Sequence, residues 1–285
     1  MTSRIMFQGV SSGAGKSTLT ALLCRHLSRQ GRSVAPFKAL NLSLNSYVTV
    51  EGKEIGTAQA FQAMAAGIEP RAEMNPILLK PSGNGTMQLV LEGRPYADLG
   101  KERKDVPQEV LMDAIQRSFS KLESEFQDIV IEGSGSPVEI NLAERDIANM
   151  RTAELTRSPV ILIGDIDKGG VFAALYGTYH LLEERHRRLL KGFLINRFRG
   201  DPSILSPGIE VLEARMGIPC LGVVPMLEVR LPEEDSLFIR QGKGSAGKHD
   251  DVREVWLRNL DDMLDAVKDD LDLLSLEKMM RQGVD

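Results

Sequence analysis

Two cysteines in 285 residues cannot build a disulfide framework, and four histidines (His26, His180, His186, His249) lie too far apart to suggest a metal cluster. Cys24 falls on the apolar side of a helical stretch and Cys220 opens an apolar run, so both read as small core residues. Long hydrophobic runs are missing too. No stretch of eighteen apolar residues occurs, and the start lacks a basic-then-apolar export pattern. The expectation is a soluble, cytoplasmic protein with no membrane partner. Positive charge is not in excess: 35 Lys and Arg against 40 Asp and Glu leave a net charge of -5, which argues against a general nucleic-acid binder. Hydrophobic residues make up 42%, enough for a sizeable core in one large α/β domain or two small ones. No internal repeat is evident.

What is present concentrates near the N-terminus. Ile5-Met6-Phe7 reads as a short buried strand, and Leu19, Leu22, Leu23 and Leu27 recur at helical spacing. Between them lie Gly9-Val10-Ser11-Ser12-Gly13-Ala14-Gly15 and then Lys16-Ser17-Thr18. Strand, glycine-rich turn and helix in that order make a phosphate-binding loop. Successive backbone N–H groups and the helix N-terminus point at the anion, and the lysine adds a full charge. Gly13, Ala14, Gly15, Lys16, Ser17 and Thr18 are therefore candidate nucleotide contacts, with the Ser17 hydroxyl suited to the accompanying Mg²⁺. Five residues separate Gly9 from Gly15, one more than in the standard loop.

Further along, Val34-Ala35-Pro36-Phe37 reads as a second strand, with Lys38 at its C-terminal end. Open α/β sheets bind ligands at that edge, so Lys38 is a candidate phosphate contact. Asn41, Ser43, Asn45 and Ser46 predict a polar loop, and a helix from about 56 to 66 carries Gln59 and Gln62. Ile77-Leu78-Leu79-Lys80 and Gln88-Leu89-Val90-Leu91 look like strands joined by the turn Ser82-Gly83-Asn84-Gly85. Residues 107–125 have helical periodicity. Ile129-Val130-Ile131 is a buried-type strand ending in Glu132-Gly133-Ser134-Gly135, and a carboxylate at that tip can bind Mg²⁺ directly or through water. Glu144, Arg145 and Asp146 are three adjacent charges, and Glu144 reads as a solvated helix start. An apolar strand from Pro159 ends in Asp165-Ile166-Asp167-Lys168-Gly169-Gly170, and a helix runs on through Leu182. Gly192-Phe193-Leu194-Ile195 ends in Asn196-Arg197, residues 203–216 are helical, and Cys220-Leu221-Gly222-Val223-Val224 is the last strand. Strands alternating with helices from 4 to 224 predict an α/β fold, a doubly wound, mostly parallel sheet of P-loop NTPase type. Residues 242–251 read as a flexible linker, and 252–280 as one or two amphipathic helices forming a C-terminal helical tail.

Taken in order, the segments resemble the synthetase part of the cobyric acid synthase family, which is related to dethiobiotin synthetase and cobyrinic acid a,c-diamide synthase. The resemblance rests on the long phosphate loop, on Ala35-Pro36-Phe37-Lys38 and on Met74-Asn75-Pro76-Ile77-Leu78-Leu79-Lys80-Pro81. It rests equally on Glu132-Gly133-Ser134-Gly135-Ser136-Pro137, Arg145-Asp146-Ile147-Ala148-Asn149-Met150, Asp165 to Phe172, and Ile195-Asn196-Arg197-Phe198-Arg199-Gly200-Asp201. It implies an ATP-dependent amidoligase domain over 1–240, ahead of the linker (241–251) and the helical tail (252–285) read from composition and periodicity. The implied reaction is amidation of a corrinoid carboxylate through an acyl phosphate, with ATP and Mg²⁺ as cofactors. Lys16 and Lys38 would supply positive charge, and Ser17 and Glu132 would hold Mg²⁺, with Glu54 as a second carboxylate candidate. Asn196 would read the adenine edge, and Asn41, Asn45 and Asp146 would face the substrate. Family members continue into a glutaminase domain with a cysteine nucleophile. Neither Cys24 nor Cys220 sits on a nucleophile turn, so ammonia would be free or come from a separate glutaminase subunit. A homodimer is also implied. Two alternatives stay open: a ligase for another small acid, and a nucleotide-switch ATPase of the partition-protein type. The switch proteins carry an extra lysine early in the loop, and residues 10–14 hold none.

Overall fold

The computed structural model describes residues 2–83, 85–100, 106–141, 146–228 and 252–284. The chain begins with β1 (Ser3–Gly9), whose last five residues are buried, and turns into α1 (Lys16–Arg29). Leu19, Leu22, Leu23, Cys24 and Leu27 share the inner face of α1, which is why its spacing is legible. After the wholly buried β2 (Val34–Phe37), the chain leaves the main sheet. It forms β3 (Leu40–Leu42), β4 (Ser46–Val48), β5 (Glu54–Gly56) and the alanine-rich α2 (Thr57–Ala65), then β6 (Ile77–Gly83), β7 (Thr86–Leu91) and β8 (Arg94–Leu99). Through α3 (Gln108–Glu125) it returns to β9 (Asp128–Glu132). There follow α4 (Met150–Thr156), β10 (Val160–Asp165), α5 (Val171–Leu181), the short α6 (Glu184–Arg187) and β11 (Leu190–Phe198). The chain closes with α7 (Ser206–Met216), β12 (Cys220–Pro225), α8 (Val252–Val267) and α9 (Leu273–Gln282).

The central sheet has the order β12-β11-β10-β1-β9-β2, and every pairing in it is parallel. Helices cover both faces, so its strands are continuous apolar runs rather than alternating ones. The expected doubly wound architecture is what the chain adopts. From β1 the path steps out to β2, returns to β9, and then crosses β1 to reach β10. That reversal opens a crevice at the C-terminal ends of β1, β9 and β10, the place where such sheets bind ligands.

Residues 40 to 99 depart from simple alternation. A second sheet has the order β3-β6-β7-β8, parallel between β3 and β6 and antiparallel beyond, and β4 pairs with β5 as a separate antiparallel ribbon. The loop expected around Asn41 to Ser46 is therefore partly strand: Leu40–Leu42 lies beside Ile77, Leu78 and Leu79, and Ser46 faces Gly56. β8 escapes a pattern reading because Arg94–Leu99 is mostly exposed and has no buried face to mark it. The helical region from 203 opens as a 3₁₀ turn at Pro202–Leu205 before α7.

The C-terminal helices join the core on the α1 face of the sheet. Trp256, Leu260, Met263, Leu264, Leu276 and Met280 pack in one cluster with Leu19, Leu22 and Leu23 of α1. Trp256 is 1% exposed, meets Phe61 of α2 edge-on at 5.7 Å, and donates its ring N–H to the Phe61 carbonyl at 3.1 Å. Arg25 forks onto Asp261 at 2.8 and 2.7 Å. Gly222 lets the α8–α9 turn close onto β12: its φ is 145°, and a Cβ there would stand 2.1 Å from the Asp270 carbonyl oxygen. Among the described residues no helix is long and apolar enough to cross a membrane. The expected linker over 241–251, Glu144 and Arg145 lie outside the described residues.

Candidate active site

The phosphate loop springs from between two strands, since the Val10 N–H donates to the Ile163 carbonyl of β10 at 2.9 Å. Gly13 (φ 74°) and Gly15 (φ 99°) turn it in the left-handed region. Gly15 has a second reason to lack a side chain, because a Cβ there would stand 2.0 Å from the Asn196 amide nitrogen. Lys16, only 6% exposed, donates to the Ser11 carbonyl at 3.1 Å and the Gly135 carbonyl at 3.0 Å. Burial pushes its pKa down. Glu132 opposes the shift while Lys38 and Lys168 add to it, and the ammonium ends at about 8.

Glu132 is the centre of the arrangement. Register sets it there: β9 lies between β1 and β2, with Glu132 opposite Phe7 and Ile131 opposite Phe37. Lys38 follows Phe37, so the two strand tips deliver opposite charges to one point. The Glu132 Oε1 accepts from the Lys38 ammonium at 2.6 Å and the Ser17 hydroxyl at 2.8 Å. Its Oε2 accepts from the side-chain amides of Gln62 at 2.6 Å and Gln59 at 3.4 Å. Burial raises the carboxyl's pKa, but the Lys38 charge and these hydrogen bonds outweigh it and hold the group below its ordinary value.

A serine hydroxyl and an ionised carboxylate are the oxygen donors a hard cation takes. The buried Gln62 Oε1, on the amide that holds Glu132, has no hydrogen-bond partner and is an orphaned oxygen beside these two donors. Among the described residues no group of three or more His, Cys, Asp and Glu gathers into a metal cluster. The donor set fits Mg²⁺, which ordinarily takes one or two carboxylates and fills the rest of its shell with water and phosphate.

A cleft of about 650 Å³ opens over the loop. Its lining includes Lys16, Ser17 and Thr18 together with Ser134, Asp146 and Arg197. A second cleft, of about 490 Å³, adjoins it and is lined by Ser43, Asn45, Ala58 and Pro81. Ser17, Lys38, Asn41 and Leu42 belong to both.

Most of the residues singled out from sequence come together here. Gly13, Gly15, Lys16, Ser17, Thr18, Lys38, Asn41, Glu132 and Asp146 line the first cleft, and Asn45 lines the second. Asn41 is buried and donates to the Gln59 side-chain oxygen at 3.1 Å. Asp146 accepts from the Ala148 and Asn149 backbone N–H groups at 3.0 and 3.1 Å, and burial raises its pKa. Asn196, at the end of β11, and Ala14 are buried and line neither cleft; Asn196 donates to the Ala14 carbonyl at 2.9 Å and holds the loop from that side. Glu54 is not brought in. It lies on the β4–β5 ribbon, accepts from Lys80 at 2.6 Å and Ser46 at 2.7 Å, and lines neither cleft. Three contributors had no role in the sequence reading. Gln59 and Gln62 hold Glu132, and their spacing of three on one helix was the available signal. Asn149 bridges the Ser134 N–H and carbonyl at 3.0 and 2.7 Å, shaping the wall opposite the loop.

Residues 5–238 match the model of the CobQ/CobB/MinD/ParA nucleotide binding domain. The chain is 52% identical over 233 residues to a cobyric acid synthase of Clostridium acetobutylicum, an alignment covering 82% of this chain and 48% of that protein. It is 49% identical over 254 residues to a probable cobyric acid synthase of Methanococcoides burtonii, covering 89% and 51%. The chain thus spans about half the length of the curated relatives it matches. Among solved structures, the signal recognition particle receptor FtsY from Elizabethkingia anophelis aligns over 91% of this chain and 65% of that one, with 13% identity and a TM-score of 0.47.

Proposed function

Because this chain belongs to the CobQ/CobB/MinD/ParA nucleotide-binding domain family, we propose that it is an ATP-dependent amidoligase acting on a peripheral carboxylate of a corrinoid, converting adenosylcobyrinic acid a,c-diamide towards cobyric acid. The relatives' name supports the substrate class, and the joined clefts support the chemistry. The nucleotide lies in the first cleft with its phosphates over residues 13–18 and Asn196 at the adenine edge. Mg²⁺, held by Ser17 and Glu132, neutralises phosphate charge when bound. The carboxylate arm enters by the second cleft, where Asn41 and Asn45 orient it, with Asp146 on the substrate side of the first.

Phosphoryl transfer asks chiefly for positioning and charge neutralisation. A carboxylate oxygen bonds to the γ-phosphorus as the bond to ADP breaks, while Lys16 and Lys38 balance the charge on the transferred group. Ammonia then attacks the acyl carbon, gives up a proton and expels phosphate, leaving the amide. Ammonia has to come from elsewhere. Burial drives the Cys24 thiol's pKa far up and pushes that of Cys220 to about 11, so neither provides the thiolate that glutamine hydrolysis needs.

The observation that carries this reading is the meeting of the two clefts at Ser17 and Lys38, directly over Glu132. A switch ATPase has no use for an acceptor site there. The test supplies the chain with ATP, Mg²⁺ and the corrinoid diamide, with either ammonium or glutamine, and reads product mass. Amidation with ammonium alone is the expected result. Glutamine-driven amidation by the chain by itself would contradict the assignment of the nitrogen source, and ATP turnover without corrinoid amidation would move the substrate to another small acid.

A further inference from the structure

The turn after β10 carries a lysine that the reaction above leaves unused. β10 pairs with β1 on the side away from β9, so its tip reaches the phosphate loop opposite Glu132. There the Lys168 ammonium donates to the Ser12 carbonyl at 3.0 Å, while Lys16 donates to the preceding carbonyl, Ser11, at 3.1 Å. Two ammonium groups thus bind consecutive peptide groups at the crest of one loop. Lys168 also lies over the turn that aims N–H groups at an anion, since a Cβ on Gly13 would be 3.7 Å from its nitrogen. We propose that Lys168 is a third phosphate-binding cation, contacting the terminal phosphoryl group of the nucleotide from the β10 side. The inference rests on the ATP-binding reading and adds a residue to it.

An exposed lysine ordinarily keeps its head in water. Lys168 has 54% of its side chain exposed, yet its head is drawn inward by the Ser12 carbonyl and by the Asp165 carboxylate at 3.9 Å. Asp165 is itself buried and already shared: it accepts from Arg197 at 2.9 Å and from the Asp167 N–H at 3.0 Å. Four cations, Lys16, Lys38, Lys168 and Arg197, therefore gather around the loop, with Glu132 and Asp165 pairing Lys38 and Arg197 and with Glu139 and Asp146 as further acids in the cleft. Cations gathered at the loop crest suit a polyphosphate. Gly169 (φ 77°) and Gly170 (φ 65°) follow at once, with no atom within 4 Å of where a Cβ would stand. The turn beside Lys168 is thus open around its two glycines. Lys16 serves the β- and γ-phosphates in loops of this kind, and Lys168 flanks the same crest, so its partner is the terminal phosphate.

The experiment titrates ATP, ADP and AMP, each with Mg²⁺, into the whole chain and its Lys168→Met variant by calorimetry. Loss of one charge-assisted contact should weaken ATP about tenfold and leave ADP within about twofold, with Lys168→Arg restoring ATP binding. If the unaltered chain fails to bind ATP, the nucleotide reading itself fails. If it binds ATP and the variant binds equally well, or loses ATP, ADP and AMP by one common factor, the role given to Lys168 is overturned.

Discussion

A carboxylate with 1% exposure stays ionised at Glu132 only because Lys38, Ser17, Gln59 and Gln62 all converge on it. Glu132→Gln keeps the shape and removes the charge. It should slow Mg²⁺-dependent turnover about 100-fold while metal-free nucleotide affinity, measured in chelator, moves by no more than about threefold. An equal loss of both would make Glu132 a support for the strand end and nothing more. Lys16 gives a prediction in pH. Its folded-state pKa of about 8 lies below the ordinary 10.5, so the unfolded chain holds more protons between those values and this group's cost to stability fades as pH rises across that window. A bound polyphosphate favours the ammonium and lifts its pKa again. ATP binding should therefore take up a proton at about pH 8.5 and little or none at about pH 7, as read by calorimetry in buffers of different ionisation enthalpy. Absence of uptake at the higher pH would contradict a phosphate contact at Lys16.

At the scale of elements, α2 connects the tail to the site. One face carries Gln59 and Gln62 to Glu132, and Phe61 between them meets Trp256 of α8. Trp256→Ala removes a fully buried ring and an N–H donor to the Phe61 carbonyl, at a cost of about 3–5 kcal/mol in urea unfolding. A loss under about 1 kcal/mol would mean that α8 contributes little to the core. Strands such as β1, β9 and β10 could be read from the sequence because both faces are buried, leaving unbroken apolar runs. β3, β4, β5 and β8 are short or half-exposed, and their pairing partners are fixed by tertiary contact, so no local pattern betrays them. The same division holds at the site. Lys38 and Glu132 were legible as strand-end residues, but their ion pair depends on β9 lying beside β2, which is a matter of strand order. Glu54, a second metal carboxylate by resemblance, is met by Lys80, a partner that the sequence does not reveal. The amphipathic tail announced a buried face without saying that α1 and α2 would cover it.

For the whole molecule, the sheet reversal makes one crevice and the residue 40–45 segment walls off a second beside it, with Lys38 and Ser17 between them. That layout suits transfer of a phosphoryl group from a nucleotide in one cleft to an acceptor in the other. If the acceptor is a carboxylate, one of its oxygens must leave with the phosphate when ammonia displaces it. The most direct measurement therefore uses the corrinoid diamide with its free carboxylates enriched in heavy oxygen, together with ATP, Mg²⁺ and ammonium, and follows the mass of the inorganic phosphate released. One labelled oxygen in phosphate for every amide formed is the result predicted. Amide formation with unlabelled phosphate would contradict carboxylate attack on the γ-phosphoryl group.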